Sequence, residues 1–258
     1  MRHALDFACE GDALLGTLDP APGDTGLLIV SGGNEIRAGA WAGQAQLAAR
    51  VAAAGHPVLR FDRRGVGDSG GAARGYRESR ADIAAALAAF RAAAPGMRRV
   101  VALGNCDAAS ALMLFVGDLA IDAMVLANPW TVEGEDGGAQ APAALRRRYA
   151  AKLADPAAWK RLLGGAIDLR KLAAGLRRAA APAPASALAQ QMREGLARFS
   201  GPVTILLAEY DRTAQLFFAA WGPEDPRIAR LASASHSFAS EVAREWLFAR
   251  VIEALRSA

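Results

Sequence analysis

The sequence predicts an α/β protein with a mostly parallel central sheet and helices on both faces. Short apolar runs alternate along the chain with longer stretches of helical periodicity. This alternation is typical of buried parallel strands joined by helices. The first of these runs is followed by a glycine-rich loop, as expected for a strand that ends near a ligand site. With 258 residues, the chain is long enough for one sizeable domain with an insertion.

The strands and helices can be placed in order along the chain. Residues 3–18 predict an edge hairpin with Gly11 and Asp12 at its turn. Short apolar runs then predict strands at 26–30, 57–62, 100–103, 121–128, 203–208 and 228–231. Stretches of helical pattern predict helices at 41–54 and 78–94, from residue 111 onward, and at 240–257.

One long segment interrupts this alternation. Residues 131–200 contain several helical stretches and an Ala/Pro/Ser-rich connector at 179–187, but no convincing strand. They predict a helical cap inserted into a core formed by 1–130 and 201–258. The segment carries twelve Lys/Arg and six Asp/Glu, a net charge of +6. Such a surface is either simply solvated or attracts an anionic substrate, and both interpretations stay open.

The most informative motif lies between the third of these apolar runs, at 100–103, and the helix after it. The run ends at Leu103, and Gly104, Asn105, Cys106 and Asp107 follow it. A strand that turns sharply into a helix exposes its apex residue on a strained backbone, and small neighbours let the backbones approach. The helix N-terminus favours a thiolate and later an oxyanion. Cys106 is therefore the predicted nucleophile, with a half-buried structural cysteine as the alternative.

A nucleophile of this kind needs a histidine as base and an acid that orients the histidine. Of the three histidines, His236 follows the last predicted strand, at the end of the sheet where ligands bind. Asp211 follows the preceding strand, and Glu209 is the nearest rival acid. A surface histidine and a turn or N-cap aspartate are the alternative interpretations. The order Cys106, Asp211, His236 predicts a catalytic triad.

An oxyanion hole requires two backbone N–H donors close to the nucleophile. One predicted donor is Asp107, because it directly follows Cys106. The other is Gly33 or Asn34, in the loop after the first parallel strand, where glycines permit close backbone approach. An ordinary tight loop is the alternative.

A second serine motif, Gly-Asp-Ser-Gly-Gly at 67–71, matches the active-site run of chymotrypsin-like proteases. That fold is all-β and needs a suitable histidine and aspartate upstream, which this chain does not offer. In the register that starts at Asp62, the segment instead resembles the Asp-x-Arg-Gly-x-Gly-x-Ser turn common in α/β-hydrolases, and this resemblance implies a structural loop beside the site. Ser69 is therefore predicted not to be a nucleophile.

These motifs together resemble the α/β-hydrolase superfamily over essentially the whole chain. They comprise the glycine loop, the Asp-Arg-Arg-Gly turn at 62–65, the turn at Cys106, and the late Asp211 and His236. The resemblance implies an α/β-hydrolase fold with an inserted helical cap. The chain departs from the commoner pattern in having Cys for Ser at the nucleophile and Ser31-Gly32 where His-Gly is frequent.

Four shorter strings resemble one group within the superfamily, the exosortase A-associated hydrolases of the PEP-CTERM system. They are GGNEIRAG at 32–39, VLRFD at 58–62, GNCDAAS at 104–110 and DPAAW at 155–159. Those proteins are similar in having a cysteine at this turn. They occur beside exopolysaccharide and protein-sorting genes of Gram-negative bacteria. The resemblance implies a hydrolase-like role in such a system and fixes no substrate.

Composition excludes several other classes of protein. A hydrophobic content of 53% with mixed charges is typical of a globular protein. The two cysteines form no CxxC pair, which argues against a zinc site or a disulfide framework. The N-terminus lacks the apolar core of a signal peptide, and no run of about 18 apolar residues occurs. The expected location is the cytoplasm, without stable membrane insertion.

The sequence thus predicts a hydrolase that cleaves ester or thioester bonds through a Cys-His-Asp triad and a covalent acyl-enzyme. The expected partner is a small acyl substrate, and neither a cofactor, a metal ion nor a nucleic acid is expected. Two alternatives stay open. One is an acyltransferase with the same triad, because the acyl-enzyme of a cysteine is itself a thioester. The other is a non-catalytic accessory protein that keeps the fold as a scaffold.

Overall fold

A computed structural model of the chain describes residues 2–132, 187–232 and 234–258. The strands and helices below are those of the described residues, numbered in chain order. The strands are β1 (His3–Cys9), β2 (Asp12–Asp19), β3 (Thr25–Val30), β4 (Val58–Phe61), β5 (Arg99–Asn105), β6 (Ala123–Ala127), β7 (Val203–Ala208) and β8 (Ile228–Leu231). The helices are α1 (Gly43–Ala53), α2 (Arg80–Ala93), α3 (Asp107–Phe115), α4 (Ala187–Ala197), α5 (Arg212–Trp221) and α6 (Glu241–Ser257).

The eight strands of the described residues form a single sheet in the order β1-β2-β4-β3-β5-β6-β7-β8. The pairs β1–β2 and β2–β4 are antiparallel, and all pairs from β4–β3 to β7–β8 are parallel. The predicted α/β class with a mostly parallel sheet is confirmed. Its antiparallel edge is the hairpin predicted at the start of the chain.

The local sequence explains these strands. All six residues of β3 and all five of β6 are buried, as expected for central parallel strands covered on both faces. In β1, by contrast, exposed and half-buried residues alternate, as expected at an edge. Glu10 (φ 50°) and Gly11 (φ 94°) both have positive φ angles, which suits a two-residue hairpin turn.

Two hydrophobic layers cover the sheet. One contains buried side chains of α2, α3, α4 and α5, and the other those of α1 and α6. Successive residues of a strand point to opposite faces. Leu103 and Asn105 of β5 therefore point towards the α1 and α6 side, where Leu103 belongs to that core.

Two helices were not predicted from the sequence. Helix α5 begins directly after Asp211, whose carboxylate accepts a hydrogen bond from the Ala214 N–H as an N-cap. Helix α4 lies inside the segment predicted as a cap, yet Leu188, Met192 and Leu196 are buried in the core against α3. The other predicted cap helices, between 143 and 178, lie outside the described residues. The cap and its boundaries therefore stay a prediction.

The turn after β4 is held by buried polar side chains. The fully buried carboxylate of Asp62 accepts hydrogen bonds from the Arg37 guanidinium and from the N–H of Arg37 (2.5 Å) and of Asp68 (3.2 Å). Ser69 is also buried. Its hydroxyl donates to the Asp62 carbonyl (2.7 Å) and accepts from the Leu15 N–H (2.9 Å). Ser69 thus joins this turn to β2, as its structural interpretation predicts.

Candidate active site

Cys106 lies at the junction between β5 and α3. Its backbone has φ 61° and ψ −128°, a conformation that L-residues rarely adopt. The Cys106 N–H donates to the Ala127 carbonyl of β6 (3.0 Å), which holds the residue in place. A Cβ at Gly104 would lie 2.8 Å from the backbone of Ala108, so only glycine permits this approach of helix to strand. The half-buried cysteine is thus held on a sharp strand-to-helix turn.

The structure brings His236 together with both of its predicted partners. Its Nδ1 lies 2.8 Å from Oδ2 of Asp211, and its ring is close enough to the Cys106 side chain for that side chain to raise its pKa. The hydrogen bond with Asp211 and then the Cys106 side chain, acting against burial, raise the pKa of His236 to about 10. The imidazole is therefore protonated at neutral pH, between a carboxylate and a sulfur.

Asp211 is suited to orient this histidine. Burial disfavours its charged form, but the hydrogen bond and charge of His236 and the N–H of Ala214 outweigh burial and lower the pKa of Asp211. Glu209, the rival acid, instead lies 3.5 Å from Arg230 as an ion pair. Of the two acids, Asp211 is the one in contact with the histidine.

The loop after β3 approaches Cys106 closely. A Cβ at Gly32 would overlap the carbonyl oxygen of Asn105 and lie 3.3 Å from the Cβ of Cys106. Gly33, at φ 55°, follows in the same loop, and Asn34 after it is exposed. Asp107 is the first residue of α3, where backbone N–H groups have no partner within the helix. Both predicted oxyanion donors therefore come from segments that flank Cys106.

The carboxylate of Asp107 occupies one of these donors. Its Oδ1 accepts a hydrogen bond from the Gly33 N–H (2.7 Å). The guanidinium of Arg63 lies 3.7 Å from the same oxygen and donates to the Gly33 carbonyl. Arg63 is buried, and its Nη1 has no hydrogen-bond partner among the described residues. An oxyanion bound to Gly33 would thus replace this carboxylate.

A pair of asparagines, which the sequence analysis missed, holds the histidine loop. The Asn105 and Asn128 side chains both donate to the His236 carbonyl, at 3.2 and 3.1 Å, and Asn128 also donates to Asn105 Oδ1 (3.1 Å). The Asn128 side-chain oxygen accepts from the Ala208 N–H (2.9 Å). Asn128 is fully buried with φ 43°. The only signal in the sequence was a polar residue directly after an apolar strand.

The second cysteine has a different environment. Cys9 is buried at the end of β1, and its thiol donates to the carboxylate of Asp82 (3.4 Å). Burial, and then the charge of Asp82, raises the pKa of Cys9 to about 11. Arg64 forms an ion pair with the same carboxylate (2.5 Å). Cys9 is thus held as a neutral thiol.

Among the described residues, no cluster of three or more histidine, cysteine, aspartate or glutamate side chains is arranged to hold a metal ion. The described helices also include none with the length and apolar character needed to cross a bilayer.

The chain belongs to the Alpha/beta hydrolase family, whose sequence profile matches residues 27–250. The fold and the position of Cys106 after the fifth strand agree with this membership. The exosortase-associated group and the cysteine nucleophile are finer assignments than this match provides. A comparison with curated protein sequences gave no match.

Several solved structures share the fold. An esterase of Pyrococcus furiosus, Pf2001, superposes with a TM-score of 0.61 at 18% identity, covering 99% of this chain and 92% of that one. The α/β hydrolase GrgF from a Penicillium species gives 0.64 at 17% identity, covering 99% and 98%. The thioesterase domain from the curacin biosynthetic pathway gives 0.57 at 14% identity, covering 98% and 99%. At these identities, the similarity extends to the fold alone.

Proposed function

We propose that the protein hydrolyses ester or thioester bonds of a small acyl substrate through a covalent intermediate on Cys106. The observation that carries the proposal is the position of His236, which is hydrogen-bonded to Asp211 and lies beside Cys106, with the cysteine on a strained turn. Membership of the hydrolase family supports it, and esterases and a thioesterase are among the structures of similar fold.

The geometry suggests the following steps. The Cys106 sulfur, as a thiolate beside the His236 imidazolium, attacks the carbonyl carbon, and a C–S bond forms while the carbonyl oxygen becomes an oxyanion. The N–H groups of Asp107 and Gly33 or Asn34 stabilise this oxyanion. His236 gives its proton to the departing alcohol or thiol, leaving a thioester on Cys106. His236 then removes a proton from water, the hydroxide attacks, and the acid product and the thiolate are released.

The experiment is intact-mass measurement during incubation with activated esters and acyl thioesters, together with product release. We expect a transient acyl adduct and released acid with the wild type, and neither with Cys106→Ala. Cys9→Ala is the matched control and should retain both.

The same measurement separates the alternatives. An adduct that persists until an alcohol or amine is added would instead indicate an acyltransferase. If the wild type forms no adduct with any ester or thioester of the series, the covalent mechanism is wrong and the accessory role is favoured.

We also propose a cytoplasmic role in an exosortase or exopolysaccharide system, on the basis of the sequence strings that resemble that group of hydrolases. Deleting the gene in the source organism should alter exopolysaccharide or sorted-protein export. Complementation with the wild type, but not with Cys106→Ala, should restore it. Unchanged export after deletion would contradict this role without affecting the proposed chemistry.

A further inference from the structure

Arg63 is a buried cation in the turn that faces the loop after β3. Only 6% of its side chain is exposed, and its Nη2 donates to the Gly33 carbonyl. Its Nη1 is buried and has no hydrogen-bond partner within the part of the chain that the structure describes. Buried polar groups nearly always have a partner, because an unpaired one loses its hydration without compensation. The unpaired donor therefore indicates a place where a ligand completes the contacts.

The positive charge of Arg63 is only partly compensated. The buried carboxylates of Asp62, which precedes it, and of Asp82 in α2 form ion pairs with other arginines. Among the described residues, the ion pair of Arg63 is with Asp107, at 3.7 Å. This distance is too long for a hydrogen bond. A second oxygen atom with negative charge would therefore find both a charge and a free donor at this guanidinium.

The Asp107 carboxylate shows which chemical group fits beside Arg63. Its Oδ1 accepts a hydrogen bond from the Gly33 N–H (2.7 Å) while it lies 3.7 Å from the guanidinium. A backbone N–H and a guanidinium that approach one oxygen together are suited to bind a carboxylate. The Asp107 side chain is 18% exposed, so it can turn towards solvent. A carboxylate that replaced it would exchange one negative charge for another, without adding charge to the site.

This carboxylate position is close to the sulfur of the candidate nucleophile. A Cβ built on Gly32 would lie 3.0 Å from Oδ1 of Asp107 and 3.3 Å from the Cβ of Cys106. Both atoms are thus within contact distance of a single point. Since each carbon–carbon bond spans about 1.5 Å, a carboxylate at this position and a carbonyl carbon at the sulfur can belong to one short acyl group.

We propose that Arg63 binds a carboxylate on the acyl group of the substrate, and that the substrate is an ester or thioester of a short dicarboxylic acid. The substrate carboxylate would replace that of Asp107 at Arg63 and at the Gly33 N–H. The carbonyl carbon would lie at Cys106, and the N–H groups of Asn34 and Asp107 would stabilise the oxyanion. The inference rests on the proposed function, because it assigns the substrate class of that same site.

The kinetic test compares substrates that differ in charge and hardly in shape. The probes are N-acetylcysteamine thioesters of malonate and of succinate, each beside the monomethyl ester of the same acyl group as its neutral counterpart. We expect the wild type to prefer the charged member of each pair by about tenfold or more in kcat/KM, and Arg63→Met to reduce this preference by about tenfold. A merely structural role of Arg63 would lower activity on both members equally and leave the preference unchanged.

Two further variants control this comparison. Arg74 is exposed and lines the same cleft as Arg63. Arg74→Met removes a positive charge nearby without touching the Gly33 loop, and should change the preference by less than about twofold. Arg63→Lys keeps the charge but loses the two-pronged guanidinium, so we expect an intermediate preference. The lysine variant also carries the test if Arg63→Met does not fold.

A binding measurement tests the carboxylate site without catalysis. Calorimetric titration with succinate should show binding to Cys106→Ala and at least about tenfold weaker binding when Arg63→Met is added. Binding should become tighter when Asp107→Ala is added instead, because the competing carboxylate is then absent. Dimethyl succinate, the neutral counterpart, should bind more weakly than succinate to Cys106→Ala.

The failures of the two proposals are distinguishable. If acyl adducts form on Cys106 but the preference for the charged thioesters is absent, or is the same in Arg63→Met, the inference is wrong and the hydrolase proposal stands. If succinate binding depends on Arg63 as expected but no thioester acylates Cys106, the carboxylate site stands and the proposed chemistry is wrong. Succinate binding to Cys106→Ala that is no tighter than that of dimethyl succinate, or that is unchanged by Arg63→Met, overturns the inference.

Discussion

Asp211 influences the charge of its neighbour His236. The folded-state pKa of His236, about 10, lies above the ordinary histidine value of about 6.5. The raised pKa of His236 therefore contributes to the free energy of unfolding, and this contribution is fully present when the pH is below the ordinary histidine pKa. The contribution is lost as the pH rises through about 10. In the proposed mechanism, the same protonation makes the imidazolium available to donate a proton to the leaving group.

We expect Asp211→Asn to lower kcat/KM by roughly 10²–10⁴-fold and to shift the alkaline limb of its pH profile towards the ordinary histidine pKa. The physical reason is the loss of the acceptor that raises the pKa of His236 most. The measurement is kcat/KM against pH, with an NMR titration of the His236 ring. Glu209→Gln, which removes the rival acid paired with Arg230, should leave the limb in place. An unshifted limb in Asp211→Asn would contradict the assignment.

In the proposed mechanism, the backbone and the side chain of Asp107 have opposing effects on an oxyanion beside Cys106. Its backbone N–H is a proposed oxyanion donor, yet its carboxylate occupies the Gly33 N–H, the other proposed donor, at 2.7 Å. A negative charge at this position disfavours an oxyanion beside it. The buried guanidinium of Arg63, 3.7 Å away, is partly neutralised by the same carboxylate.

We expect Asp107→Ala to raise kcat by roughly three- to tenfold, because it frees the Gly33 N–H and leaves the Arg63 charge near the oxyanion. Loss of an acidic residue in the first turn of α3 should destabilise the protein by about 0.3–1 kcal/mol. Steady-state kinetics and urea unfolding measure the two effects. Asp118→Ala, after the end of α3 and paired with Arg80, is the control. A fall in kcat would show that the carboxylate itself assists the reaction.

At the scale of elements, the candidate site depends on contacts between strand ends. Asn128, directly after β6, joins β7 through Ala208 and the histidine loop through the His236 carbonyl. The position of the imidazole is thus fixed from its backbone as well as from Asp211. This makes Asn128 a positioning residue.

Two substitutions of Asn128 separate its contacts. Asn128→Asp keeps an acceptor for the Ala208 N–H but cannot donate to the His236 carbonyl, whereas Asn128→Ala loses both. We expect Asn128→Asp to lower kcat by at least about tenfold with KM nearly unchanged. Both variants should also destabilise the fold: Asn128→Ala by roughly 1–3 kcal/mol, since buried polar groups lose their partners, and Asn128→Asp because it buries a carboxylate without a cationic partner. Kinetics and urea unfolding measure the effects. If kcat of Asn128→Asp equals that of the wild type, the contact to the loop has no part in positioning.

The helices show where local pattern stops being informative. The predictions for α1, α2 and α6 were correct to within about two residues, because apolar positions recur at helical spacing and Ser240 caps α6. Helix α4 was missed because it follows an Ala/Pro/Ser-rich stretch and contains few large apolar residues. Its helical periodicity is therefore weak in the sequence. Its place against α3 depends on a long-range contact that no local pattern contains.

At the scale of the whole molecule, the sheet could be predicted from sequence and the polar contacts of the site could not. Continuous apolar runs identify central strands, and a glycine–Asn–Cys–Asp motif after one of them identifies the sharp turn. The hydrogen bond from the Gly33 N–H to the Asp107 carboxylate joins two segments that are far apart in sequence. The Asn105–Asn128 pair likewise depends on the parallel register of β5 and β6.

The contrast between the two cysteines gives the molecule an internal reference for chemical labelling. A small alkylating reagent at neutral pH should react with Cys106 and not with Cys9, whose thiol is buried against Asp82 and has a pKa of about 11. Because β1 pairs with β2 along its whole length, Cys9 becomes accessible only when this hairpin opens. The first label on each molecule therefore counts reactive Cys106 thiols, and the second reports the opening of the N-terminal edge of the sheet.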